Sequence, residues 1–279
     1  MVDIGRKNRL EVVKRAEQGL YLAGGEYGNI LLPRRYVAAA TELGDRLDVF
    51  VYWDSENRLV ATTETPLAMV GEFAWLKVVS INPVGAFLDW GLDKDVLLPY
   101  SEHKYQPEEG RQVMVYLFLD DQTERIVATT RIEKYLSEES TTFRANQAVD
   151  LLITDTTELG YKAIVDHSHW GVLYSNELFQ TLKKGQRLSG YIKRIRSDNK
   201  IDLTLYQQSA GDIAELAEHI VAKLIDNEGV LMITDKSPPE AIYAIFKASK
   251  KMYKKAVGAL YKQRRITIED RCIRLLESD

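Results

Sequence analysis

The chain repeats itself. Gly19, Tyr21, Leu22, Gly25, Leu31, Leu32, Pro33 and Gly44 recur as Gly85, Phe87, Leu88, Gly91, Leu97, Leu98, Pro99 and Gly110, every pair 66 residues apart. One residue is then inserted before Ala61-Thr62-Thr63 recurs as Ala128-Thr129-Thr130. A more diverged third copy sets Gly160, Val172, Leu173, Glu177, Gly185 and Tyr191 against Gly85, Leu97, Leu98, Glu102, Gly110 and Tyr116, 75 residues on. A period of roughly 70 residues is too long for a solenoid unit and suits a small autonomous domain. Such a chain folds as tandem small domains, each with its own core.

Each copy strings together short apolar runs of strand length separated by turn residues. In the first, the segment 9–15 alternates, 20–22 and 30–33 are brief apolar runs, and 47–52 leads through the turn 54–58 into 59–62. Strands at this spacing predict a closed five-stranded barrel. From Asp212 the period becomes helical: Ile213, Leu216, Ile220, Leu224 and Ile225 share a stripe, with Asp212 as N-cap and Gly229 as stop. Ser237 followed by two prolines predicts the cap and first turn of a second helix, and Ser249 caps a third running to about Gln263. A hairpin over 265–276, turning at 269–271, ends the chain.

The expected fold is therefore mainly β with an α/β C-terminal part. It comprises three tandem OB-type barrels over 1–65, 66–136 and 137–208, with the polar segment 138–142 as linker, and a C-terminal domain over 209–279. The run Gly-x-Phe-Leu-x-x-Gly followed by Val-Leu-Leu-x-x-Ser-Glu, at 85–102, resembles the S1 domain, an OB-type RNA-binding module. Three helices and a hairpin resemble a winged helix. Three S1-like copies followed by a winged helix resemble the conserved virulence factor B family of bacterial S1-domain RNA-binding regulators.

That resemblance implies a binding face made of an aromatic before the turn glycine, another two residues after it, a His on the third strand, and an Asp/Arg pair at the last hairpin. The first copy keeps Tyr21, Asp54 and Arg58 but has Gln18 and Pro33 at the other two positions. The second keeps Phe87, Asp121 and Arg125, with Val84 and Pro99. The third has Leu159, Lys162 and Tyr174, with Arg196 and Lys200 at the hairpin. It exchanges a ring for cations, which favours it as the RNA surface and leaves Tyr21, Arg58, Phe87 and Arg125 as weaker candidates.

A net charge of −4 speaks against a uniformly basic binder, but the cations are clustered. Residues 181–200 hold Lys183, Lys184, Arg187, Lys193, Arg194, Arg196 and Lys200 against the single acid Asp198. Residues 247–265 hold Lys247, Lys250, Lys251, Lys254, Lys255, Lys262, Arg264 and Arg265 against none. At about 100° per residue, Lys250, Lys251, Lys254, Lys255, Gly258, Lys262 and Arg265 fall on one face of the third helix, opposite Met252, Tyr253, Ala256, Val257 and Leu260. Gly258 costs the helix about 1 kcal/mol relative to Ala, which suggests close approach of a backbone or of a packed helix.

Nothing suggests catalysis. Phosphate-binding glycine loops, nucleophile elbows and paired metal-binding cysteines are missing, and His167 and His169 beside Asp166 read more simply as polar loop residues than as metal ligands. The single Cys272 cannot close an intramolecular disulfide, and the start of the chain lacks a signal-like run, so a cytoplasmic location is expected. The resulting expectation is a non-catalytic post-transcriptional regulator that needs no cofactor or metal and binds single-stranded RNA. The rival readings are a winged-helix transcription factor on duplex DNA and a nuclease.

Overall fold

The computed structural model describes residues 1–137, 143–178, 180–206, 210–246 and 248–276. The segment 138–142 expected as a linker, and Lys247 of the second basic cluster, lie outside the described residues. The chain divides into two compact units, Met1–Leu136 and Ser137–Asp279.

The first unit holds two closed barrels. One is built from β1 (Lys7–Ala16), β2 (Gly19–Ala23), β3 (Asn29–Pro33), β4 (Arg46–Trp53) and β5 (Leu59–Thr62). The other uses β6 (Phe73–Asn82), β7 (Gly85–Asp89), β8 (Val96–Pro99), β9 (Gln112–Leu119) and β10 (Ile126–Thr129). In each, a three-stranded meander closes through its first strand onto the fourth, and the fifth strand runs parallel to the third, the connectivity of an OB-like barrel. The second unit repeats the construction with β11 (Ala148–Thr157), β12 (Gly160–Val165), β13 (His169–Tyr174), β14 (Arg187–Ile195) and β15 (Ile201–Thr204).

The repeated glycines have a common cause. Gly19, Gly85 and Gly160 open the second strand of each barrel at φ of 151°, 153° and 147°. A β-carbon there would fall 2.1, 2.3 and 2.1 Å from the carbonyl oxygens of Leu32, Leu98 and Leu173. No other residue fits. The first strand carries a register shift in each barrel, after Val12, Val78 and Ile153, and that residue's carbonyl accepts from the amide of Gly44, Gly110 or Gly185 at 2.8–2.9 Å. The bulge bends the strand far enough for the sheet to close.

The two barrels of the first unit share apolar surface. Val49 and Val51 point into the first barrel, whereas Phe50, Tyr52 and Val60 point outward into one cluster with Trp90, Leu92 and Val96 of the second. Trp90 meets the Phe50 and Tyr52 rings edge-on at 5.6 and 6.2 Å. Lys94 Nζ donates to the carbonyls of Trp53 and Asp54 at 2.9 and 2.8 Å. Burial, reinforced by nearby Arg125, lowers the pKa of that ammonium.

The C-terminal part consists of α1 (Ala210–Asp226), β16 (Val230–Leu231), α2 (Pro239–Phe246), α3 (Lys250–Lys262), β17 (Ile266–Ile268) and β18 (Ile273–Leu275). The three strands form a sheet in the order β16-β18-β17 beside the helices, a winged-helix-like arrangement around Ile220, Leu224, Ile242, Tyr253, Ala256 and Leu260. Sequence periodicity missed β16, which is too short to show alternation. The helix expected from Asp212 begins two residues earlier, at Ala210. The Ser237 hydroxyl, expected to cap α2, accepts from the Thr234 amide at 2.8 Å within the preceding turn. Ser249 does cap α3, accepting from the Met252 amide at 3.2 Å. Among the described residues, no helix is long and apolar enough to cross a membrane.

Candidate nucleic-acid interface

Alternation along β13 sends Gly171 and Leu173 into the third barrel and leaves Trp170, Val172 and Tyr174 on its outer face. Lys162, opposite Val172 on β12, lies with its ammonium 3.6 Å from the centre of the Trp170 ring. A groove of about 580 Å³ opens here, lined by Leu159, Lys162, Trp170 and Val172, with Asp198, Asn199 and Lys200 of the β14–β15 hairpin along its rim. A ring, an apolar floor and cations suit a stacked base with its phosphate alongside. Trp170 is not among the positions that the S1 resemblance implied. The available signal was the period-two spacing of Trp170, Val172 and Tyr174.

Beside the groove lies a polar cluster. Asp202, opposite Val172 on β15, has no side-chain exposure. Its carboxylate accepts from Arg194 Nε at 2.6 Å, Arg196 Nε at 2.8 Å and the Tyr174 hydroxyl at 3.0 Å. Burial alone would raise the Asp202 pKa, but the hydrogen bonds from Arg196, Arg194 and Tyr174 outweigh it and hold the group below the usual carboxylate value. Arg196 also donates to the Tyr174 hydroxyl.

Next along this face, a cleft of about 270 Å³ is lined by Glu177, Lys193, Thr204 and Tyr206 of the third barrel and by Ser249, Lys250 and Lys251 at the start of α3. Lys193 is paired with Glu177. The Tyr206 ring meets Tyr243 of α2 edge-on at 6.1 Å, and burial raises the pKa of its hydroxyl. Basic residues from the two predicted clusters thus line one cleft.

The predicted faces of α3 are those observed. Lys251, Lys254, Lys255 and Lys262 are exposed, and Tyr253, Ala256, Val257 and Leu260 are buried. Three-dimensional neighbours nevertheless supply acids that the local sequence lacks. Lys254 lies 3.9 Å from Asp235, and Arg265 makes a two-pronged pair with Glu218 of α1, which lowers the Glu218 pKa. Lys250 Nζ donates to the Lys236 carbonyl at 3.2 Å. Among the described residues, Lys251, Lys255 and Lys262 have no ion-pair partner within 4 Å. The cluster at 181–200 is more heavily neutralised still: Lys184 pairs with Asp155, Lys193 with Glu177, Arg194 and Arg196 with Asp202, and Lys200 with Asp198. Both basic clusters are thus partly neutralised by acids distant in sequence.

Gly258 does not mark a packing contact. A β-carbon placed there would meet nothing within 4 Å.

In the first unit, Arg58 closes on Asp54 at 2.8–2.9 Å as the resemblance implied. The Asp121/Arg125 pair is not formed. Asp120, whose amide donates to the Arg125 carbonyl at 2.9 Å, occupies the position of Asp54, because the inserted residue sits inside the β9–β10 turn. Arg125 instead donates to Asn57 of the first barrel. Tyr21 is half-buried and accepts from Gln18 Nε2 at 3.0 Å, and Phe87 is half-buried on β7. Among the described residues, no group of three or more His, Cys, Asp or Glu is placed to hold a metal ion. His169 hydrogen-bonds Ser168 at 2.8 Å and meets Phe143 edge-on.

Known protein families match the first two barrels and the C-terminal part of the chain. The S1-domain family matches residues 4–64 and 70–131, and the CvfB-like winged helix domain family matches residues 218–275. The chain is homologous to YitL of Bacillus subtilis, described as uncharacterized, at 27% identity over 95% of this chain and 91% of the relative. It is likewise homologous to conserved virulence factor B of Staphylococcus saprophyticus, at 25% identity over 85% of this chain and 81% of the relative. The Staphylococcus aureus N315 protein of the same description is 24% identical over 95% and 92%. A crystal structure of a multidomain protein with nucleic acid binding domains from Streptococcus pneumoniae aligns over 98% of both chains, with 22% identity and a TM-score of 0.41.

Proposed function

We propose that this chain is a non-catalytic, cytoplasmic single-stranded-RNA-binding protein of the conserved virulence factor B family, acting as a post-transcriptional regulator. In this reading, RNA crosses the outer face of an S1-type third barrel, over Lys162, Trp170 and Tyr174. It continues past Arg194, Arg196 and Lys200 to Lys193 and the lysines of α3. The proposed division is three S1 domains, 1–65, 66–136 and 137–208, and a winged-helix domain, 209–279.

The cleft shared by Lys193, Lys250 and Lys251 carries the proposal, because it makes two basic elements distant in sequence into one track. A ring with an apolar floor recognises an unstacked base, which single strands offer and duplexes do not. The first two barrels lack this combination. The first barrel's outer positions Tyr52 and Val60 are occupied by packing against the second barrel, and the hairpin arginines Arg58 and Arg125 are engaged by Asp54 and Asn57.

The test compares the full chain on single-stranded RNA, single-stranded DNA and duplex DNA of equal length across a salt series. Tightest binding to single-stranded RNA with a steep salt slope is expected. Preference for the duplex would transfer the function to a major-groove reader built on α3.

A further inference from the structure

Strand pairing makes three positions equivalent. Val60 lies opposite Tyr52 and Leu31, Val127 opposite Phe118 and Leu97, and Asp202 opposite Arg194 and Val172. Where the first two barrels place a valine beside an aromatic ring, the third places a fully buried carboxylate beside an arginine. Tyr174 similarly stands where the others have Pro33 and Pro99, opposite the turn glycine. A register shift between Ile192 and Arg194 accommodates the change.

The first two barrels close with a valine at this position, so closure of the barrel does not itself require a carboxylate. A buried charge is costly and gives little net stability even when paired. The three coordinated replacements, Asp202, Arg194 and Tyr174, therefore point to a use other than holding the barrel together. Asp202 engages the Nε groups of both arginines while the Arg194 side chain stays 65% exposed. Among the described residues, the remaining donors of Arg194 make no hydrogen bond. A guanidinium fixed at Nε with its outer edge open is preorganised for bidentate contact with a phosphate.

We propose that Asp202 is a positioning residue, which holds Arg194 and Arg196 in place to grip a backbone phosphate between the Trp170 groove and the α3 cleft. This rests on the RNA-binding reading above. It yields a sign opposite to simple electrostatics, since removing a negative charge from a phosphate-facing surface would ordinarily tighten binding.

The experiment measures affinity of the full-length protein for a labelled single-stranded RNA of about 12 nucleotides, comparing wild type, Asp202→Asn and Arg194→Lys. Asp202→Asn is expected to weaken binding about tenfold, by releasing both guanidinium groups. Arg194→Lys, at an exposed position that leaves the buried carboxylate its bond to Arg196, keeps the charge and the salt slope but is expected to lose about tenfold with the fork. Tighter or unchanged binding by Asp202→Asn in a folded protein overturns the proposal. So does wild-type affinity in Arg194→Lys, which decides the matter even if Asp202→Asn fails to fold. Wild-type protein that binds no RNA at low salt overturns the function itself, whereas binding indifferent to both substitutions overturns the role of Asp202 alone.

Discussion

Replacing Lys250, Lys251, Lys254 and Lys255 together with alanine separates an electrostatic role of α3 from a structural one. Lys251 and Lys255 are exposed without an ion-pair partner among the described residues, so each can neutralise a phosphate outright. Lys254 must first leave Asp235, 3.9 Å away, and Lys250 must leave the Lys236 carbonyl. Each phosphate neutralised on a single strand contributes about 0.7 to the slope of log affinity against log salt. The slope should fall by about 1.4 if only the two unencumbered lysines act, and by about 2.8 if all four do. Between ~50 and ~200 mM salt, the wild type then loses about 7- to 50-fold more affinity than the variant. None of the four side chains belongs to the core cluster, and alanine is a better helix former than lysine, so the melting temperature should not fall. Fluorescence anisotropy on labelled single-stranded RNA, with a circular dichroism melt as control, reads both quantities. A slope change below about 0.5, or a loss of affinity that is the same at every salt concentration, refutes the electrostatic role.

Trp170→Ala should cost about 1–3 kcal/mol of single-stranded-RNA affinity, as removal of a stacking ring does elsewhere, with no flattening of the salt slope. Trp170 is the one tryptophan after residue 90, so fluorescence quenching by RNA should vanish with it, and persistent quenching would place the RNA on the first unit. Gly258→Ala should raise stability by up to about 1 kcal/mol in a thermal melt, since its β-carbon meets open space. If RNA affinity is unchanged as well, no nucleic-acid backbone approaches the helix at that point.

The architecture was legible because its signals are local and repeated. Gly19, Gly85 and Gly160 each answer a backbone clash that recurs in every barrel, so they recur in the sequence at matching positions of each copy. The two faces of α3 were legible for the same reason, since 13 residues are enough for a 3.6-residue period to sort lysines from core. Charge was misread because sequence counts neighbours along the chain, whereas Asp155, Glu177, Asp202, Asp235 and Glu218 reach the basic clusters across strands and helices. The hairpin pair was displaced because a single inserted residue leaves no mark on which side of a turn it falls. Trp170 was missed because a family pattern directs attention to the positions it names, and this ring lies on a neighbouring one.

The apolar seam joining Phe50, Tyr52 and Val60 to Trp90 bears on how the protein is made. The first barrel can close as soon as Thr62 has left the ribosome, but its outer aromatic strip stays wet until the second barrel is complete near Thr129. At ~5–20 residues per second, those 67 residues (129 − 62) take about 3 to 13 seconds. During that interval the nascent chain displays a sticky surface that the finished protein never shows, and its sole intended cover is the next stretch of its own sequence. A slow codon run or a truncation inside 66–129 therefore exposes the cell to an aggregation-prone first barrel that is itself correctly folded.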